Sequence, residues 1–488
     1  METRTIFRNI SPLDHRYSVS DPDRELFDAL APLLSEEAAV ASCVKAEIAL
    51  IKAHLWARGG LSAELKDALE HSAALVDPEE VYQEEAKTRH NIRALVQVLK
   101  KKVPPETAHL VHLGATSADI LDTAHSFRIR EVTRKAALPL LRKLEILLCG
   151  RAEQEADTAQ AGRTHGQHAV PITAGFAFAE YVSRLGASIL EIDRLSGTLK
   201  GKLSGAVGAY NATSMLVRDP EGLERRYLAE MGLEPADHAT QIVEPEYLLR
   251  LLLEYNVAFG IIANLADDLR HLQRSEIAEV SEGFGEEQVG SSTMPQKRNP
   301  WNAEHIKSLW KAFMPRVTTF FMDQISEHQR DLSNSASQRF IAEYITGFCL
   351  AANRMAGVIQ GLRVDRERLL ANLRGSAGIP GGVMAECAYI LLAETGVSDA
   401  HEVIRRITLA AEKENTGFAG ALAKETAAFE RIQEKLAGLG IIQSPDEALA
   451  FFQSPERYRG LSAEKARSVA QKYRKLMAGH TEEGHGVS

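Results

Sequence analysis

Within eleven residues, Gly290 to Pro300 (GSSTMPQKRNP), the chain sets three hydroxyls, a lysine, an arginine and an asparagine on a turn-rich stretch. A hydroxyl that loses its proton becomes a base or nucleophile, and a cation beside it stabilises that anion or a substrate carboxylate. Upstream, Gly283, Gly285 and the run Glu286, Glu287, Gln288 have the composition of a mobile segment, which predicts a lid over an anionic substrate. Alone, the stretch reads as a solvated turn. Three further polar segments change that reading: TRHN (Thr88 to Asn91, with Arg89 and His90), HLGATSADILDT (His112 to Thr123, with Thr116 and Ser117) and GRTHGQH (Gly162 to His168, with His165). Each falls at the end of a long helical pattern. Histidine exchanges protons near neutral pH, and lysine and arginine neutralise carboxylates or phosphate. Together the four segments form an acid–base kit with anion clamps.

Two weaker patterns drop out. Gly285 to Ser292 is one residue short of a phosphate-binding P-loop, and it lacks the lysine and the preceding strand that such a loop needs. His109 and His112 stand three apart, as two zinc ligands on a helix would, but no cysteine or carboxylate motif completes the set. We expect no metal and no cofactor.

The elements that must position these residues read as helices. An alternation of threes and fours through Leu248, Leu251, Tyr255, Ala258, Ile262, Leu265, Leu269 and Leu272 predicts a helix near 37 Å long at roughly 1.5 Å per residue. Phe178, Val182, Leu185, Ile189 and Ile192 repeat the pattern, as do Ala137, Leu141, Leu144 and Leu148. Rods this long bury their seams only against other rods, so the expected fold is all-α, with a central bundle of long helices. Three helical domains are expected, at 1–114, 115–365 and 366–488, with breaks in the bundle at Gly162 to Pro171 and Gly201 to Gly208.

Composition sets the limits. A chain of 488 residues with 45% apolar and 25% charged residues buries a large core. Its start, METRTIFRNI, lacks a signal-peptide core, and the apolar stretch Leu248 to Ala266 is interrupted by Arg250, Glu254, Asn256 and Asn264. Four cysteines without metal spacing read as thiols of a reducing cytoplasm. A net charge of -9 argues against nucleic acid or an anionic membrane as partner, so local arginines and lysines must hold any anionic ligand.

With these residues in view, the chain resembles the fumarase and aspartase superfamily, and within it the adenylosuccinate lyase family, over nearly its whole length. Gly290 to Pro300 meets the superfamily pattern GSSxMPxKxNP at every fixed position. The narrower likeness rests on SPLDHRY near the N-terminus, GRTHGQH, KLSGAVGAYNA (Lys202 to Ala212), TQIVEPEY (Thr240 to Tyr247) and QRDLSNSASQR (Gln329 to Arg339). The resemblance implies a homotetramer that pools its long central helices and builds each active site from several subunits. It implies β-elimination of fumarate from a C–N bond of a succinylated purine nucleotide, with Ser291 as base, His165 as acid, and Lys297 and Asn299 stabilising the dianionic intermediate. Whether Ser291 or Ser292 ionises is left open. His112 and His90 correspond to residues that orient substrate and acid, and Thr116, Ser117 and Gln241 to residues that hold the succinyl group. Arg16, Tyr17, Arg330, Ser335 and Arg339 correspond to nucleotide and phosphate contacts.

Two positions depart from the family pattern. Asn91 stands where relatives usually carry Asp after the histidine, and His305 where they commonly carry Asn. Both bear on substrate preference more than on reaction class. Competing readings are argininosuccinate cleavage, carboxymuconate cycloisomerisation, and a structural relative that keeps the bundle without catalysis.

Overall fold

The computed structural model describes residues 9–19, 23–284, 293–331, 333–375 and 379–482, without the side chains of 479–482. The elements that frame the candidate residues are, in order, α1 (Glu36–Ala57), α2 (Pro78–Thr88), α3 (Asn91–Lys100), α4 (Ser117–Val132), α5 (Leu138–Gln154), β1 (Ala159–Thr164), β2 (Gln167–Thr173), α6 (Ala174–Ser196), α7 (Glu246–Leu272), α8 (Trp301–Phe313) and α9 (Ile341–Gly361). Among the described residues, strand is confined to two-stranded pairs. The fold is all-α.

The periodic seams are the buried faces. On α7, Leu251, Tyr255, Ala258, Ile262, Leu265 and Leu269 are buried, and on α6 so are Phe178, Val182, Leu185, Ile189 and Ile192. Three of the four polar residues that interrupt the apolar run of α7 are bonded to neighbouring helices. Glu254 accepts the Ser188 hydroxyl of α6, Asn256 Oδ1 accepts the Tyr344 hydroxyl of α9 at 3.3 Å, and Asn264 Oδ1 accepts Arg184 Nη1 at 2.9 Å. Such bonds fix helix register where apolar contacts alone tolerate sliding. Although α7 is long and apolar enough to cross a bilayer, 56% of its apolar window is buried inside the protein.

The chain forms two compact units, each drawn from three stretches. The first comprises residues 1–141, 187–260 and 308–354. Its central rod is α1, buried continuously from Ala46 to His54, so Glu47, Lys52 and His54 must find partners inside. The second comprises residues 142–186, 261–307 and 355–488. Its C-terminal helices enclose a core that includes Met384, Leu392, Ile404, Phe418, Ile432 and Phe452.

One segment departs from the sequence reading. The expected loop at Gly162 to Pro171 is an antiparallel hairpin, with Ala159 paired to Thr173 and Thr164 to Gln167. The pairing register shifts between Ala161 and Arg163, where Gly162 admits the Val170 carbonyl; a Cβ there would lie 2.6 Å from that oxygen. A strand broken by a bulge shows too little period-two alternation to be read in advance.

Candidate active site

His112 lies in the first unit, in the link between a short helical turn ending at Leu110 and the start of α4. Its backbone is left-handed, with φ of 63°, an unfavourable state for a residue with a Cβ. Glu47 and His54, seven residues and so two turns apart on one face of α1, hold this link. Glu47 Oε2 accepts the His112 backbone N–H at 2.9 Å, and Glu47 Oε1 lies 2.7 Å from His112 Nδ1. His54 Nε2 donates to the Leu113 carbonyl at 2.8 Å. Burial and the nearby Arg58 and His109 depress the basicity of His54, although the carbonyl bond opposes them.

Four residues beyond His112, Thr116 is the N-cap of α4 and Ser117 its first residue. The Thr116 N–H donates to Asp119 Oδ2 at 2.8 Å. The other oxygen of the buried Asp119 pairs with Lys202, itself fully buried, and accepts the N–H groups of Ser204 (3.2 Å) and Gly205 (3.3 Å). This ion pair ties KLSGAVGAYNA to the positive end of a helix, a place suited to a carboxylate.

One turn on, Asp122 Oδ2 accepts the Val243 N–H at 2.9 Å, and the Gln241 N–H donates to the Gln329 carbonyl at 3.2 Å. Those bonds bring TQIVEPEY, with Gln241, and QRDLSNSASQR, with Arg330, to the same place. Burial pushes the Asp122 carboxyl up to about 6, against the opposing pull of the Val243 N–H, Lys202 and Arg330. Thr116, Ser117, Gln241 and Arg330 thus share one neighbourhood.

Other candidates of this unit occupy its surface. Arg89 caps α2 in a left-handed conformation, His90 caps α3 by accepting the Arg93 N–H on Nδ1 at 3.2 Å, and Asn91 Oδ1 accepts the Ile92 N–H at 2.7 Å; all three are exposed. Arg16 is exposed beside a short helical turn, and the Tyr17 ring lies 5.9 Å from the guanidinium of Arg354. Burial raises the Tyr17 hydroxyl above its ordinary range. Ser335 and Arg339 are exposed, Arg339 within electrostatic reach of Tyr82 on α2.

His165 lies in the second unit, at the tip of the β1–β2 hairpin. Its φ is 55° and that of Gly166 is 73°, the two successive positive values that a two-residue type I′ turn requires. The hairpin is anchored behind its tip by Glu279, which is fully buried and pairs through both oxygens with Arg163. Gln160 Nε2 (3.0 Å) and Asn372 Nδ2 (2.9 Å) also donate to Glu279. Three of these charge-assisted bonds come from β1, the strand that leads to the histidine, and the fourth holds Glu279 from Asn372.

Lys297 and Asn299 belong to the same unit. The Lys297 N–H donates to the Met294 carbonyl at 3.0 Å, its side chain is exposed, and Asn299 is half-buried. Just beyond them the start of α8 is capped by Glu282, which accepts the N–H of Ala303 at 2.8 Å and of Asn302 at 3.2 Å. Ser291, with Gly290 and Ser292, lies outside the described residues.

Sequence reasoning missed Glu47, Asp119, Asp122, Lys202 and Glu279 as supports of the site. For Glu47 a signal existed: a lone carboxylate in the apolar run AEIALI of a helix buried on all sides.

A family model described as Lyase matches residues 23–312, and one described as Adenylosuccinate lyase C-terminal matches 326–442. Among similar proteins, one from Pyrococcus horikoshii named adenylosuccinate lyase is 35% identical over 83% of this chain and 88% of its own. One of the same name from Pyrococcus abyssi is 33% identical over 88% of this chain and 93% of its own. Among solved structures, a 3-carboxy-cis,cis-muconate lactonizing enzyme from Pseudomonas putida matches 96% of this chain and 100% of its own with a TM-score of 0.78. A fumarate lyase from Mesorhizobium sp. BNC1 matches 91% and 97% with a TM-score of 0.75. At 24% and 22% identity these two likenesses speak for the fold alone.

Proposed function

The chain belongs to the adenylosuccinate lyase family and is a fumarate-releasing lyase of purine biosynthesis, and from that premise we propose how its residues divide the work. Adenylosuccinate is split to AMP and fumarate, and the succinylated aminoimidazole carboxamide ribotide to its carboxamide and fumarate. A base removes a proton from the carbon next to one succinyl carboxylate. The electron pair moves onto that carboxylate and then forms the fumarate double bond as the C–N bond breaks, and an acid protonates the departing nitrogen. Ser291 is the base and His165 the acid.

A serine hydroxyl is a weak base, so its anion needs a cation, supplied by Lys297, which with Asn299 also stabilises the dianionic intermediate. Thr116, Ser117 and Gln241 hold the succinyl group at the start of α4, with His112 beside them, and Arg89, His90 and Asn91 complete the substrate contacts. Arg16, Tyr17, Arg330, Ser335 and Arg339 take the nucleotide and its phosphate. The assembly that goes with this reading is a cytoplasmic homotetramer whose sites draw on several copies, as the sequence resemblance implies.

Backbone strain is the observation that carries this reading. Among the described residues seven non-glycines have positive φ, and Arg89, His112 and His165 are three of them. A further two, Tyr210 and His328, lie within or next to the segments KLSGAVGAYNA and QRDLSNSASQR. Strained residues of this kind cluster at functional sites, held by the structure around them.

The test is incubation of the purified protein with adenylosuccinate, argininosuccinate, aspartate, malate and carboxymuconate. Fumarate from adenylosuccinate alone is the expected result, and turnover of argininosuccinate or carboxymuconate in its place overturns the assignment. Arg339→Ala should raise KM for adenylosuccinate strongly; an unchanged KM removes Arg339 from the phosphate contacts.

A further inference from the structure

The reaction proposed above needs its histidines to present a defined nitrogen to the substrate, and for His112 the group that decides this lies outside every motif. Glu47 is fully buried in the middle of α1, and both of its oxygens serve one residue, the ring and the backbone N–H of His112. An ionised carboxylate only accepts, so a ring nitrogen 2.7 Å away must carry the proton. The opposite nitrogen, Nε2, bonds no described residue, and the side chain keeps 22% of its surface open. Desolvating a carboxylate is costly, and the neighbouring positions Ala46, Ile48, Ala49 and Leu50 show that α1 packs with apolar residues where only packing is required. His90, by contrast, accepts a backbone N–H on Nδ1, and its neighbour Asn91 supplies no carboxylate.

We propose that Glu47 is a positioning residue that locks His112 in the tautomer with its proton on Nδ1, so that Nε2 alone meets the substrate. This rests on the elimination reaction proposed above. The left-handed backbone of His112 belongs to the same device, because it turns the N–H and the ring toward one carboxylate.

Glu47→Gln tests it at nearly constant shape. An amide has one accepting oxygen for two N–H donors, so it keeps both bonds only by donating to Nδ1, which moves the ring proton to Nε2. We expect kcat for fumarate release from adenylosuccinate to fall about 10–100-fold, the range for loss of a carboxylate that orients a histidine, with KM changed less than about threefold. In a His112→Ala background the same change should alter kcat less than about twofold, because the two residues act as one. Wild-type kcat in Glu47→Gln, or losses that simply add in the double variant, overturn the proposal.

Selective 15N-histidine labelling, with His112→Ala assigning the signal, reads the tautomer in the wild-type protein without substrate. A proton on Nδ1 is expected, and a proton on Nε2 overturns the proposal even where Glu47→Gln does not fold. If the wild-type protein releases no fumarate from adenylosuccinate while the ring carries its proton on Nδ1, the reaction assignment fails and the tautomer lock stands.

Discussion

His112 and His165 both sit on left-handed backbone, yet they are held in different ways. At His112 a buried carboxylate grips the ring itself. At His165 the support stops at the backbone: a type I′ turn presents the residue, and Glu279 grips Arg163 two positions earlier. The first arrangement fixes which ring nitrogen faces outward, whereas the second fixes where the ring starts and leaves its rotation to whatever else enters the site. The lock suits a residue that orients a substrate, because the nitrogen it presents is set before the substrate arrives.

The largest expected effect comes from removing the hairpin histidine. His165→Ala should lower kcat by about 10²–10⁴, as loss of a general acid does, with the thermal melt unchanged because the residue is exposed at a turn. A kcat within about threefold of wild type would take the acid role from His165.

Glu279→Ala attacks the anchor instead. It leaves Arg163 without its buried partner, and stability should drop by about 3–5 kcal/mol in denaturant unfolding. A loss below about 1 kcal/mol would mean that the turn alone holds the hairpin.

Gly166→Ala separates turn from anchor. Among the described residues none beyond its chain neighbours lies within 4 Å of the added methyl, so the penalty is backbone strain at φ of 73°, about 1 kcal/mol. Activity should fall more than stability does, while Glu47→Gln leaves the hairpin untouched; equal activity in Gly166→Ala and wild type would show that the turn geometry is dispensable.

The smallest effect lies near His112. Asp122 titrates at about 6 in the folded chain against an ordinary value of 3.8, so it favours folding below pH 3.8 and that contribution is lost as pH rises through 6. Asp122→Asn cannot ionise. It should therefore match the wild type near pH 4 and exceed it above pH 6, by on the order of 1 kcal/mol once solvent screening is allowed for. A stability difference that does not change between pH 4 and pH 8 would refute the shift.

Much of the frame was legible because helical burial leaves a period. The seams of α6 and α7 could be written down from spacing, since a residue three or four positions on returns to the same face. The hairpin was not legible: a bulge at Gly162 and two strands of six and seven residues leave no clean alternation. Gln241 and Gln329 are joined by one backbone bond across 88 positions, and no local pattern encodes such a pairing.

Two glutamates show where the boundary lies. Glu47 in KAEIALI and Glu145 in RKLEILL stand in the same kind of apolar helical run, and both are fully buried. Glu47 meets two N–H donors from His112. Glu145 faces the close approach of Gly186 and Tyr473 with neither oxygen bonded among the described residues, and burial pushes its carboxyl up to about 9. The sequence by itself determined that the long seams would be helical and that the signature segments would carry acid–base residues, because type and period are local properties. Whether a buried carboxylate meets donors or only carbon depends on which distant segment packs against it. The tertiary structure alone decided that Glu47 would orient a histidine and that Glu145 would take up a proton.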